Sequence, residues 1–272
     1  MRYDVAIVSG GPAGSTCAAV CADGGLRTLV LERSVFPREK VCGDCANPAC
    51  WPILDRLHLR ERVPALPHSW IEEVEFIGVN GRSVRQEISG EIAIKRSVLD
   101  LLLLTRAREL GAEIREGVTV TALEKGWRIQ TSGETFHAHT LVAADGRNST
   151  VARLLGLLPP SARERVSVQT HFAAPDDFGE RVVMRLLPNG YCGLGSVGTV
   201  ESTESFHEEL AWQDDGGFRR GCVCLNVRRH SSQVRSIDSR GAIPAFSPAW
   251  KMMEPRDLAV FLPERHSQNQ LS

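Results

Sequence analysis

Residues 3–32 decide the fold of this chain and read YDVAIVSGGPAGSTCAAVCADGGLRTLVLE. A short apolar run ends at Val8, a glycine-rich turn follows, small helix-compatible residues continue to Ala22, and a second apolar run ends at Leu31. Apolar runs of this length, separated by turn residues, predict a strand, a helix and a strand. Such a βαβ unit requires a parallel sheet and a right-handed crossover.

The glycine-rich turn has the pattern of a dinucleotide-binding loop. Gly11 would let the backbone approach a diphosphate, Gly14 would let the helix pack closely on the strand, and the helix N-terminus would attract phosphate. Glu32 ends the second strand, where it can accept hydrogen bonds from an adenosine ribose. Ser9 stands where the usual pattern has its first glycine, and we expect a serine to fit there with a negative φ. An ordinary βαβ turn is the alternative interpretation.

Three further stretches match one enzyme family in their order and approximate spacing. They are ERSVFPREKVCGD at residues 32–44, RSVLD at residues 96–100, and LVAADGRNS at residues 141–149. On these stretches the chain resembles FAD-dependent oxidoreductases of the geranylgeranyl reductase and aromatic-ring hydroxylase class. The resemblance extends over residues 3–195 and becomes thin beyond Gly198.

The resemblance implies FAD as the cofactor and NAD(P)H as a transient electron donor. It also implies hydride transfer through the flavin, for double-bond reduction or hydroxylation of a small or lipid-like organic substrate. The implied cofactor contacts are Gly11, Ala13, Gly14, Glu32 and Arg33 on the ADP half, Gly43 and Asp44 beside the flavin, Arg96 and Val120 further along the cofactor, and Asp145 and Gly146 between the cofactor and the pyridine nucleotide. Taken singly, Arg96 could be a helix-start charge and Asp145-Gly146 a plain turn.

We therefore predict an α/β fold in which a Rossmann-like FAD-binding domain with a parallel sheet is interleaved with a mainly antiparallel β substrate domain. The FAD-binding domain is predicted at residues 1–62 and 96–158, and the substrate domain at residues 63–95 and 159–240. Within these, we expect strands between residues 71 and 94 that break at Asn80-Gly81 and Ser89-Gly90, a helix over 97–110, and a strand over 112–120. A short helix is also expected over 53–62.

Residues 241–272 are predicted to form an altered C-terminal segment. The sequence DLAVFLPE at residues 257–264 stands where the family has a strand followed by Gly-Asp-Ala, whose aspartate holds the ribityl chain. Pro263 and Glu264 replace the Gly-Asp pair, so we expect a truncated or altered family member. An inactive nucleotide-binding remnant that lacks a complete flavin site is therefore an alternative function.

The eight cysteines are too dispersed for a disulfide scaffold, and we expect mostly free thiols in a reducing cytoplasm. Cys42, Cys45 and Cys50 leave a flavin disulfide reductase as a further alternative, although the flanking residues favour the other class. No metal site is predicted, and His137 and His139 are expected at the surface. His171 is strand-borne and could face a substrate cavity.

Composition excludes several other classes of function. Lys plus Arg (32) nearly balances Asp plus Glu (33), so the net charge of −1 gives no electrostatic basis for binding nucleic acid. The uncharged stretch from residue 5 to 22 contains a glycine-proline break, which argues against a signal peptide. We expect no transmembrane segment, because no run reaches the roughly 18 apolar residues that a membrane helix needs.

Overall fold

The computed structural model describes residues 2–158, 165–174, 179–187, 190–198, 219–228 and 260–262. The helices are α1 (Pro12–Asp23), α2 (Trp51–Arg56), α3 (Arg96–Glu109) and α4 (Thr150–Leu154), with 3-10 turns at Pro48–Cys50 and Arg60–Ala65. The strands are β1 (Arg2–Val8), β2 (Thr28–Leu31), β3 (Cys45–Ala46), β4 (Ser69–Ile77), β5 (Ser83–Ala93), β6 (Glu113–Arg115), β7 (Val120–Glu124), β8 (Arg128–Thr131), β9 (Thr135–Ala143), β10 (Arg165–Ala174), β11 (Arg181–Leu187), β12 (Gly190–Ser196), β13 (Arg219–Arg228) and β14 (Val260–Leu262).

The first sheet has the order β6-β2-β1-β9-β8-β7, and β14 also pairs with β9. Strand β1 lies between β2 and β9 and runs parallel to both. Val8 is opposite Leu31 on one side and Ala143 on the other, so the three strands end at the same edge. The loops that follow these strands are therefore neighbours, as expected for ligand-binding loops of an open parallel sheet.

Both faces of this sheet are buried, which explains the continuous apolar runs in the sequence. Ile7 and Val30 pack with Ala18 of α1 and Leu104 of α3 in one core cluster. Alternate residues such as Val8 face a second cluster, formed with β7, β8, β9 and α4. The strand residues thus hold the glycine-rich loop between two packed layers.

The second sheet has the order β10-β13-β12-β11-β4-β5-β3. Every pair in it is antiparallel except β11 with β4. Burial along β4 is intermittent, with Ile71 buried and Trp70 exposed, as expected for strands covered on one face. The predicted fold class, a parallel-containing α/β unit with a second and mainly antiparallel sheet, is confirmed.

Three local predictions were wrong in detail. Gly90 does not break a strand but lies inside β5 with φ 75, beside Pro48 and the Trp51 ring. The single strand expected over 112–120 is two strands, because Gly117 turns the chain with φ 72. The helix expected over 53–62 is likewise interrupted at His58, where φ is 54.

Strand β14 runs antiparallel to β9, with Val260 opposite Ala143 and Leu262 opposite Leu141. Strand β14 therefore runs away from the edge where β1 and β9 end. Pro263 and Glu264, on which the altered C-terminus was predicted, lie outside the described residues. No helix in the described part of the chain is both long enough and apolar enough to cross a bilayer.

Candidate functional site

The glycine-rich loop leaves the start of α1 open to a ligand. Gly11 is the N-cap residue, Pro12 occupies the first turn, and no described side chain caps the helix. The N–H groups of Ala13 and Gly14 belong to the first turn of α1, and N–H groups in a first turn have no carbonyl acceptor within the helix. These donors and the helix dipole favour an anion at this point.

Gly14 is required by sterics. A Cβ atom built on Gly14 would lie 1.9 Å from the carbonyl oxygen of Ser9 and 3.3 Å from the Cβ of Ala144. The first contact is with backbone, which cannot move aside as a side chain can. The close approach of helix and strand expected from the sequence is therefore present.

Ser9 contradicts our expectation about its backbone. Its φ is 84, in the left-handed region, whereas a negative φ was expected. A non-glycine residue there carries strain of about 1–2 kcal/mol. Two hydrogen bonds hold it in place, because Ser9 N donates to Leu31 O at 2.8 Å and its hydroxyl donates to Glu32 Oε2 at 2.9 Å.

Glu32 is 2% exposed and is held by three hydrogen bonds. Its Oε2 accepts from Ser9 Oγ and from Gly10 N, and its Oε1 accepts from Ser34 N at 2.8 Å. Burial acts to raise the pKa of Glu32, but the hydrogen bonds from Ser34, Gly10 and Ser9 outweigh it and lower the pKa. A carboxylate offers about four acceptor positions, so Oε1 keeps room for a ribose hydroxyl.

Two arginines share one buried carboxylate beside this loop. Arg96 binds Asp100 through both oxygens, at 2.7 and 2.9 Å, and Arg38 Nη2 lies 3.2 Å from Asp100 Oδ2. Asp100 is completely buried. Burial acts to lower the pKa of Arg96, and the hydrogen bond and charge of Asp100 raise it overall. One carboxylate therefore balances only one of the two guanidinium charges.

The Arg38 side chain also lies beside the glycine-rich loop. The Arg38 guanidinium packs 4.7 Å from the Phe36 ring centre, and its Nη2 is 3.4 Å from the Cβ position of Gly11. Its Nη1 is buried and has no hydrogen-bond partner among the described residues. A buried cationic donor of this kind needs an acceptor, and a diphosphate at Gly11 would supply one.

The wider surroundings are also positive. Burial lowers the pKa of Lys40, and the charges of four arginines lower it further: Arg38, Arg33, Arg96 and Arg147. A basic cluster in a chain of net charge −1 creates a local field that attracts anions. The open helix start, the unpartnered Arg38 nitrogen and this cluster together fit the diphosphate of a dinucleotide such as FAD.

Asp44 joins the start of α3 to strand β10 of the second sheet. It is 2% exposed with φ 53, and its Oδ1 accepts from Arg96 N at 3.1 Å. Its Oδ2 lies 2.6 Å from Gln169 Nε2 and 2.9 Å from His171 Nε2, both on β10. From the sequence, His171 was left open as a residue that could face a substrate cavity. It lies against Asp44, which favours a proton on Nε2 and leaves Nδ1 as the acceptor.

Asp145 acts as a helix cap. Its Oδ2 accepts from Thr150 N and Val151 N at 2.6 and 3.1 Å, its Oδ1 accepts from Ser149 Oγ, and Gly146 has φ 74. Asp145 and Gly146 follow β9 and so lie at the same edge of the first sheet as the glycine-rich loop. The carboxylate is occupied, which leaves the backbone of this turn to face a ligand.

The other predicted residues, Arg33, Gly43 and Val120, differ in their exposure. Arg33 follows Glu32 and is exposed, as is Gly43. Val120 is buried in the second core cluster, and the segment before it lies beside Glu32, because Val118 N donates to Glu32 O at 2.9 Å. The structure therefore brings Gly11, Ala13, Gly14, Glu32 and the Asp145-Gly146 turn to one edge, and joins Asp44 to Arg96.

Sequence reasoning missed Arg38, Asp100 and Gln169. Arg38 stands within the stretch that carries the family resemblance, but nothing local assigns it a role. Asp100 is four residues after Arg96 on α3, a spacing that predicts an ion pair. The sequence around Gln169 does not predict its role, because its partners Asp44 and Cys42 are more than 120 residues away in sequence.

The cysteines near the site differ in exposure. Cys42 and Cys50 are half-buried, and Cys45 is exposed and donates to Gly43 O at 3.2 Å. Within the described ranges no group of three or more metal-ligating side chains converges. His137 and His139 are exposed on β9, as expected.

The chain is similar in sequence to curated proteins with different names. The chain is 30% identical over 220 residues to conditioned medium factor receptor 1 of Dictyostelium discoideum, covering 71% of this chain and 43% of that protein. It is 31% identical over 172 residues to digeranylgeranylglycerophospholipid reductase of Methanosarcina acetivorans, covering 57% of this chain and 40% of the relative. The chain thus spans less than half the length of these two curated relatives.

Among solved structures, the myxobacterial FAD-dependent halogenase CndH superposes with a TM-score of 0.65 at 20% identity, covering 84% of this chain and 53% of that one. This likeness concerns the fold. The family model described as "FAD binding domain" matches residues 2–214, which is well over half of the chain. The chain therefore belongs to the FAD-binding domain family of flavin-dependent oxidoreductases and monooxygenases.

Proposed function

We propose that this chain binds FAD at the edge formed by β1, β2 and β9 and serves as an FAD-dependent oxidoreductase. The observation that supports this most strongly is the buried Arg38 Nη1, which has no hydrogen-bond partner among the described residues. It belongs to a guanidinium whose Nη2 lies 3.4 Å from the Cβ position of Gly11, at the uncapped start of α1. A neutral βαβ turn has no need for a buried cation there. Bound flavin would supply the hydride and oxygen chemistry.

Each part of the proposed site has a separate task. The N–H groups of Ala13 and Gly14, with Arg38, would bind the diphosphate beside Gly11, and Glu32 would accept from the ribose with Arg33 nearby. Gly43, Asp44 and Arg96 would border the flavin, Val120 would touch the cofactor along its length, and the Asp145-Gly146 turn would contact it through backbone. These assignments remain predictions from the family resemblance and from the grouping at one edge.

The substrate side of the proposal rests on the Asp44–His171 contact. The pair lies between the loop after β2 and strand β10 of the second sheet. A carboxylate that fixes the imidazole tautomer leaves Nδ1 able to accept a proton from a substrate. We propose a small or lipid-like organic substrate, which the resemblance and the name of the archaeal reductase relative both favour.

The first experiment measures bound flavin. The purified chain should show absorption bands near ~375 and ~450 nm, and an Arg38→Gln variant should lose flavin on dilution. Arg62→Gln is the matched control, because Arg62 makes an ion pair with Glu109 and both side chains are largely exposed. A colourless protein that cannot be reconstituted with FAD would refute the proposal.

A second experiment separates double-bond reduction from hydroxylation. We propose NAD(P)H as the electron donor in either case. Without oxygen, a reductase would still oxidise NAD(P)H when its substrate is added, whereas a monooxygenase would stop after one reduction of its flavin. Oxygen uptake that equals NAD(P)H use, with one oxygen atom in the product and no release of hydrogen peroxide, would favour hydroxylation.

An ADP-holding remnant is the second candidate, and the direction of β14 favours it. A strand that delivers a flavin-binding turn should run toward the carboxyl edge of the sheet, and β14 runs away from that edge. The remnant would bind ADP at the same loop and would not retain flavin. Equal affinity for ADP and FAD would identify it.

The disulfide reductase alternative depends on Cys45. Unchanged NAD(P)H turnover in a Cys45→Ser variant would exclude it, because a flavin disulfide reductase needs both thiols of its redox pair.

A further inference from the structure

Two thiols face each other on the helix that begins at the glycine-rich loop. Cys17 and Cys21 are four residues apart on α1, and their sulfur atoms are 4.0 Å apart. Cys17 lies one turn after Gly14, whose N–H is part of the proposed diphosphate site. Neither cysteine has a role in the site described above.

The surroundings make one thiol the better nucleophile. Both side chains are half-buried and pack against the core cluster that contains Ala18, Ala19 and Leu104. The hydrogen bond between the thiols lowers the pKa of Cys21, against the opposing effect of burial, and raises the pKa of Cys17. A thiolate reacts with peroxides, and a neighbouring thiol can resolve the product.

A disulfide between these sulfurs does not fit a regular helix. Residues at i and i+4 have Cβ atoms about 5–6 Å apart, whereas a disulfide needs Cβ atoms about 3.5–4.5 Å apart. The sulfurs would have to approach from 4.0 Å to about 2.05 Å, so backbone must move. The turn that moves adjoins Gly14 and Ser15, and the buried Ser15 hydroxyl ties α1 to Gly10 O at 2.8 Å.

We propose that Cys17 and Cys21 form a peroxide-oxidisable dithiol whose disulfide distorts the start of α1 and weakens cofactor binding at the glycine-rich loop. The Cys21 thiolate attacks a hydroperoxide oxygen, the O–O bond breaks, and hydrogen peroxide leaves one water. The Cys17 sulfur then displaces the sulfenic oxygen as a second water and forms the S–S bond. The peroxide is reduced by two electrons and the two thiols are oxidised.

The disulfide is tested by mass. The full chain is treated with hydrogen peroxide, remaining thiols are alkylated, and tryptic peptide 3–27, which contains both cysteines and no internal Lys or Arg, is isolated. Oxidised peptide should be unalkylated and about 2 Da lighter than the dithiol, and it should return to the dithiol with a reductant. Cys17→Ser and Cys21→Ser should abolish this product, whereas Cys45→Ser, at an exposed position, should not.

Two results would contradict the formation of a disulfide. In the first, both thiols of peptide 3–27 are alkylated after peroxide treatment. In the second, one thiol gains oxygen and the peptide shows no loss of about 2 Da. Circular dichroism gives an independent readout, because oxidation should lower helical signal in the wild type and leave the Cys17→Ser/Cys21→Ser double variant unchanged. Unchanged helicity with the disulfide present would overturn the distortion of α1.

The expected loss of FAD affinity on oxidation rests on the proposed function, and it is measured separately from the disulfide. Oxidation should raise the Kd for FAD about tenfold in the wild type and leave that of the double variant unchanged. A disulfide that forms without a change in Kd would overturn the coupling. If the reduced chain binds no FAD, the proposed function fails, while the mass and helicity measurements still decide whether the dithiol forms and distorts the helix.

Discussion

Two helices begin at the same edge of the first sheet, and their starts differ in a way that separates a binding loop from a structural turn. Helix α1 follows β1 and begins at Gly11 with no described side chain as a cap. Helix α4 follows β9, and its first N–H groups are bound by Asp145 and Ser149. An anion can bind only where donors are unsatisfied, so α1 offers a site and α4 does not.

The glycines of the two turns should respond very differently to substitution, and this is the largest effect expected. Gly14→Ala drives a Cβ into the carbonyl of Ser9 at 1.9 Å, so we expect loss of flavin binding and a destabilised fold. Gly146→Ala has open space around its Cβ but keeps φ 74, so it should cost about 1 kcal/mol and retain flavin. Flavin content and urea unfolding measure both, and a yellow, stable Gly14→Ala protein would contradict the comparison.

Arg38 should matter for the anion more than for the fold. Arg38→Gln removes a charged donor worth about 1.5–3 kcal/mol, so the Kd for FAD should rise about 10- to 100-fold. The free energy of unfolding should fall by much less, because Arg96 still pairs with Asp100. Fluorescence titration with FAD measures the first quantity. An unchanged Kd would mean that the buried nitrogen serves no ligand.

Asp145 should matter for the stability of the fold more than for the affinity for FAD. Asp145→Ala removes the acceptor of two backbone N–H groups at the start of α4, which should cost about 1–2 kcal/mol of stability. Because the carboxylate is occupied by the helix, the Kd for FAD should change less than it does in Arg38→Gln. Urea unfolding and FAD titration on one preparation test this. A larger loss of affinity than of stability would assign the carboxylate itself to the cofactor.

The smallest effect concerns the pH dependence of the α1 loop. The pKa of Glu32 is lowered in the folded chain, so its contribution to stability is complete above its ordinary pKa of about 4.3 and is lost as pH falls through the folded value. Wild type should therefore lose more stability than Glu32→Gln when the pH falls from about 5 to about 3. Equal losses in the two proteins would show that Glu32 does not stabilise the loop through its charge.

Local patterns predicted much of this architecture because the forces behind them are local. The first βαβ unit and helix α3 follow from apolar periodicity within short windows. Gly90 was misjudged, since a glycine that breaks a strand and one that sits inside it beside a tryptophan look the same in sequence. Ser9 was misjudged because its φ is set by bonds to Leu31 and Glu32, which come from the next strand.

The sequence alone determined the parallel βαβ unit, the glycine at position 14, the acidic residue at the end of β2 and the family resemblance, because each depends on spacing within one chain segment. Only the tertiary structure decided that Arg38 shares Asp100 with Arg96, that Asp44 meets His171 on the second sheet, and that α1 is open where α4 is capped. Those features depend on which side chains are brought together from distant segments. Burial then makes each unpaired charge or donor significant, because water is no longer available to satisfy it.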